Sequence, residues 1–140
     1  MARYRRYDEV AVGDVFPAEP LLFDIGPETT ERFLAATGDD GDRYGSQHER
    51  GDRAPSMIAA VYLVDLLKAR LSPPGGIHAK QAIRFHRTVK IGDRLSLQGR
   101  VIEKYVRKER PYVVSDFEAR TADGELVSSG RITSIWGRDA

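Results

Sequence analysis

The side chains able to move protons are concentrated in one stretch of the chain. Residues 38–55 read GDDGDRYGSQHERGDRAP and hold Asp39, Asp40, Asp42, Tyr44 and His48. Carboxylates and an imidazole are the usual groups of general acid–base catalysis near neutral pH. A tyrosine, with a pKa near about 10, donates a hydrogen bond or a proton but is a poor base. Polarity and repeated glycine make this segment a loop. A loop of this length in a small domain is often functional, and a solvated connection is the alternative. His48 within it reads either as a surface histidine or as a site group, and Asp39 either as a turn residue or as an acid or base.

Other candidates are scattered. Asp65 stands inside an apolar run, where a paired or boundary polar group is its ordinary role. His78 and His86 share a strand face with Lys80 and Arg84 and read as surface residues. The chain has no cysteine, which excludes thiolate catalysis, cysteine-ligated zinc and a disulfide scaffold. No histidine pair has HxxxH or HExxH spacing, so no dedicated metal site is expected.

The elements that must position these groups come from a chain of 140 residues, 41% hydrophobic and 31% charged, the length of one domain. A net charge of +1 argues against a nucleic-acid binder that works through bulk charge. The basic N-terminus is followed by no apolar run of signal-peptide length. Residues 57–67 are mostly apolar but carry Asp65 and fall short of the roughly 20 residues needed to span a bilayer. A cytoplasmic protein without a membrane anchor is expected.

Residues 10–25 read as a strand with a proline-broken start. Residues 27–37 read as a short helix, with Pro27 in its first turn, Gly38 as a left-handed stop, and Phe33 and Leu34 on its buried side. After Pro55 and Ser56, the latter a candidate N-cap, residues 57–71 form a helix apolar on nearly all sides and therefore buried. Ser72-Pro73-Pro74-Gly75-Gly76 stops it.

Strands follow. Over residues 77–89, Ile77, Ala79, Ile83 and Phe85 alternate with His78, Lys80, Arg84 and His86. A turn at 91–93 leads into Leu95, Leu97, Gly99 and Val101, with a bulge expected where Val101 meets Ile102. Residues 112–120 and 126–136 are joined by an Asp123-Gly124 hairpin. One buried helix ahead of antiparallel strands long enough to wrap around it gives an α+β class, a helix in a curved sheet.

Three segments, in this order and spacing, carry a resemblance: Ala36-Thr37-Gly38-Asp39, the run from Arg84-Phe85 to Gly92-Asp93, and the Asp123-Gly124-Glu125-Leu126-Val127 hairpin. With Ala54-Pro55-Ser56-Met57 opening the central helix, the chain resembles the MaoC-like dehydratases and (R)-specific enoyl-CoA hydratases over about residues 8–136. The resemblance implies a single hot-dog domain over residues 1–140, and hydration or dehydration of enoyl and 3-hydroxyacyl thioesters. Adding water to an enoyl thioester needs a base for the water, a proton for C2 and donors for the developing enolate oxygen.

By that resemblance Asp39 falls on the family's catalytic Asp, and the backbone amides around Ser56 and Met57 receive the thioester oxygen at a helix N-terminus. Ser56 stands where many active members have a glycine. Five residues after Asp39, where the hydratases have a histidine, this chain has Tyr44. It matches a branch whose Tyr-bearing subunits or half-domains sit beside a catalytic partner, and His48 is the nearest imidazole able to replace the missing one. No metal or redox cofactor is implied; the acyl group would arrive on coenzyme A or an acyl carrier protein.

The leading expectation is thus a lyase acting on an acyl thioester or polyketide-type acyl substrate. The alternatives are a non-catalytic, substrate-holding subunit of a heteromeric dehydratase, a hot-dog thioesterase using Asp39 or Asp65, and an oxa-Michael cyclase. A helix apolar on most sides needs more cover than one sheet supplies, so a homodimer, or a heterodimer with a similar chain, is expected.

Overall fold

The computed structural model describes residues 3–38 and 53–138. Five strands form one antiparallel sheet in the order β1-β5-β6-β7-β3, built from β1 (Val15–Asp24), β5 (Arg94–Arg107), β6 (Arg110–Arg120), β7 (Leu126–Ile135) and β3 (Ile77–Phe85). Two short strands, β2 (Arg53–Ala54) and β4 (Val89–Lys90), pair separately. The helices are α1 (Pro27–Thr37) and α2 (Ala59–Lys68), the latter preceded by a 3-10 turn at Ser56–Ile58.

The sheet curls around α2, and one row of residues across it shows how. Phe16, Gly99, Phe117, Gly130 and Ile83 are successive cross-strand neighbours on β1, β5, β6, β7 and β3. A Cβ on Gly99 would overlap the Phe16 ring, and one on Gly130 would overlap the Ala82 carbonyl and the Phe117 ring. Each glycine leaves space for the neighbouring ring, which covers it. Phe16 and Phe117 are buried in the core on this inner face. The opposite face carries charge, as in the Arg131–Asp116 pair at 2.8 Å.

On α2 the side chains of Tyr62, Leu63 and Leu66 are fully buried against the inner face, each contributing about 1.5–3 kcal/mol of hydrophobic stabilisation. The Tyr62 hydroxyl lies 2.6 Å from Ser128 Oγ on β7, and its ring meets Phe23 edge-on at 5.6 Å. On α1, Leu34 is buried as the sequence reading placed it. Phe33 is only half-buried, and Thr30 is buried and donates to the Gly26 carbonyl at 2.9 Å.

Several expectations are corrected. The central helix ends at Lys68 rather than at 71, and it is not buried all round: Met57, Val61 and Val64 are 51%, 37% and 50% exposed. A single sheet covers one side of a helix, and apolar periodicity does not reveal whether the other cover belongs to the same chain. The third strand ends at Phe85, with Val89 in β4 instead.

A register shift between His78 and Lys80 changes the faces of β3 as well. His78 lies opposite the buried Ser134, while Gln81, Ile83 and Phe85 lie opposite Ile132, Gly130 and Ser128. His78 therefore shares the inner side with Ile83 and Phe85, although it remains exposed because β3 is an edge strand. The bulge expected near Ile102 is present, as a shift between Val101 and Glu103.

Candidate functional site

The helix entrance is built from the chain leading into α2. β2 pairs with β4 through Arg53–Lys90 and Ala54–Val89, which fixes the approach, and Ala54 is 1% exposed. Pro55, with φ −62° and ψ 136°, caps the 3-10 turn, and the Ile58 amide closes it on the Pro55 carbonyl at 3.0 Å. Ser56 is thus the first residue of the turn rather than its cap. Ile58 and Ala59 point into the core, while Met57 is exposed.

Amides in the first turn of a helix have no intrahelical acceptor, and the helix dipole makes that end attractive to negative charge. The Ser56 and Met57 amides stand in the 3-10 turn that leads into α2. Tyr62, one turn into α2, holds the helix against β7 through Ser128; burial raises its hydroxyl pKa above 10, partly opposed by that bond.

The acid–base candidates Asp39, Tyr44 and His48 lie outside the described residues. Their segment is bracketed by Gly38, which ends α1 in the left-handed region at φ 76°, and by β2 at Arg53. Asp65 lies farther along α2 and is exposed. His86 is on the outer face, 2.9 Å from Ser129 Oγ.

At the other end of α2 lies a hollow of about 380 Å³ lined by Val64, Lys68, Arg70, Ile77 and His78, among others. Arg70 is buried within its wall. Its Nε donates to the Leu67 carbonyl at 3.3 Å, its Nη1 to Ser134 Oγ at 3.0 Å, and its guanidinium stacks 5.3 Å from the Trp136 ring. Burial pushes its pKa down to about 10. The residue joins the C-terminal end of α2 to β7, where a cation is favoured by the helix dipole. Sequence reasoning missed it because one arginine after an apolar helix reads as solvated.

No protein-family model and no curated protein sequence matches this chain. Solved structures do. The (R)-hydratase PhaJ1 of Pseudomonas aeruginosa is 23% identical, covering 95% of this chain and 86% of that one, with a TM-score of 0.77. A MaoC-like dehydratase from Rhodospirillum rubrum is 19% identical over 95% of this chain and 97% of its own, with a TM-score of 0.75. The HadBC complex, a 3R-hydroxyacyl-ACP dehydratase of Mycobacterium tuberculosis, contains a chain 20% identical over 90% of this one and 96% of its own, at a TM-score of 0.71. The chain has the hot-dog fold of the MaoC-like dehydratases and (R)-hydratases, the fold its sequence motifs implied.

Proposed function

We propose that this chain binds an acyl thioester and adds or removes water across its C2–C3 bond. The observation that supports it best is the helix entrance, where the 3-10 turn carrying the Ser56 and Met57 amides leads into α2 in a fold shared with hydratases and dehydratases. In this reading the amides hold the thioester oxygen, so that charge developing on it in the enolate is stabilised. Asp39 takes a proton from water in hydration, or from C2 in dehydration, and Tyr44 or His48 handles the second proton. Coenzyme A or an acyl carrier protein delivers the acyl group.

The test is turnover of a panel of enoyl thioesters by the purified protein alone. Asp39→Asn keeps the shape and removes the base, so turnover should fall by about 100-fold or more with the circular dichroism unchanged. Turnover equal to wild type would remove Asp39 from the mechanism.

A second reading rests on Tyr44, which stands where the hydratases carry histidine, and on the neighbour HadBC being a complex of chains. In it the chain holds substrate for a catalytic partner. Tyr44→Phe separates the two: a proton donor loses activity with the hydroxyl, whereas a pocket lining keeps its ring and its function. Tyr44→His, with a pKa near about 6.5, should create weak hydration only in an otherwise inert subunit.

A further inference from the structure

The β5–β6 hairpin is built against its own stability. Its tip reads Arg107-Lys108-Glu109-Arg110, and the register sets Arg107 directly opposite Arg110. Like charges in facing positions repel. Lys108 and Glu109 both occupy the left-handed region, at φ 51° and 65°, in a two-residue turn that ordinarily takes Asn-Gly. Arg107, Lys108 and Arg110 form no ion pair among the described residues. Val106, beside them, is 64% exposed. Repulsion, backbone strain and an uncovered apolar side chain thus coincide at one exposed tip.

Two hollows flank it. One, of about 350 Å³, is lined by Arg6, Asp8, Val106, Glu109 and Arg138, among others. The other, of about 410 Å³, is lined by Ile77, Lys108, Glu109, Arg110, Ile135 and Arg138, among others. Cations outnumber carboxylates at the second hollow and balance them at the first. Arg138 donates to the Glu109 carbonyl, which ties the C-terminal segment to the tip. A single phosphate would need donors converging on one point, and these cations are spread over two sides of a ridge. A lipid surface would favour a convex apolar face, and here apolar side chains line concave hollows.

We infer that this pole is a docking surface for an acidic amphipathic helix of a partner protein, its carboxylates on the tip cations and its apolar side chains in the flanking hollows. Charge complementarity sets the partner's sign, and Val106 with the hollows sets its amphipathic character.

The experiment titrates the full-length protein into a fluorescein-labelled helical peptide with leucines along one face and glutamates elsewhere, read by anisotropy. Saturable binding is expected, weakened as salt rises from low to physiological strength. The double variant Lys108→Glu/Arg110→Glu should weaken it by about 10-fold or more, and Val106→Ser by several-fold. These positions are exposed, so circular dichroism should be unchanged. Absence of saturable binding, or insensitivity to the charge reversals, overturns the inference. So does equal binding of a leucine-free polyglutamate peptide, which would show bulk charge alone. Tighter binding to anionic phosphatidylserine vesicles than to the peptide, through the same residues, would overturn it in favour of a membrane surface.

Discussion

The Tyr62 and Ser128 hydroxyls, 2.6 Å apart, are both enclosed by the core, and neither residue has measurable surface. Each satisfies the other, so removing one leaves the other buried without a partner, at a cost of about 1–3 kcal/mol. Tyr62→Phe and Ser128→Ala should each destabilise by that order in urea unfolding. The double variant should lose less than the sum, because it leaves no polar atom stranded. Simple additivity would mean the bond contributes nothing. The bond matters to the candidate site because Tyr62 fixes α2, and the 3-10 turn carrying the Ser56 and Met57 amides runs directly into that helix. Ser115 contrasts with it: its buried hydroxyl is unpartnered among the described residues.

At the scale of elements, the segment before β1 is closed by Asp14. Its carboxylate accepts from the Ala11 amide at 2.9 Å and from Arg5 at 2.7 Å. The Ala11 bond first, and then the Arg5 bond, hold the Asp14 carboxyl below its ordinary value of 3.8. A carboxyl depressed in the folded state binds its proton more readily when the chain unfolds. Its stabilisation is therefore present above the unfolded pKa and is lost as pH falls through the folded one. Asp14→Asn keeps an acceptor for Ala11 but not the charge. It should lower stability at pH 7, and its urea midpoint should then fall less than that of wild type below about pH 4. Parallel acid limbs would exclude a part for this carboxylate. Glu9 and Asp24, whose carboxyls arginine bonds also lower, remain in the variant and preserve some acid dependence.

Elements with a chemical signature of their own were legible in the sequence. Pro27 and Gly38 bound α1 as read, and the Asp123-Gly124 turn joins β6 to β7, with Gly124 at φ 85°. The Lys108-Glu109 turn was not legible, because neither residue marks a left-handed turn. The shift between His78 and Lys80 was also hidden, since a strand that drops one residue from register still reads as alternating. Of the site, the helix entrance was legible from Pro55-Ser56, although Ser56 proved to start the turn rather than cap it. Arg70 was not, because its partners Ser134 and Trp136 lie more than sixty residues away in the chain.

At the scale of the whole molecule, the two edges of the five-stranded sheet, β1 and β3, differ. β1 carries Pro17 and Pro20, which cannot donate to a neighbouring strand and blunt that edge. β3 has no proline, and its Ile77 and Phe85 are 50% and 39% exposed. Met57, Val61 and Val64, spaced to share one side of the central helix, are exposed too, and Val64 lines a common hollow with Ile77. An open edge next to an uncovered apolar helix face fits a second hot-dog chain, related by a two-fold axis and extending the sheet through β3. With identical chains the contact is isologous, so a charge placed on it acts twice. Sedimentation velocity should find wild type as a dimer at tens of micromolar. Phe85→Lys combined with Val64→Lys should shift it to a folded monomer, because each introduced ammonium would have to be desolvated without a partner. Leu22→Lys on β1, at a side chain 60% exposed, should leave the dimer intact. Dissociation by Leu22→Lys alone would move the interface to the other edge. A monomeric wild type would exclude self-association and make a different chain the occupant of this face.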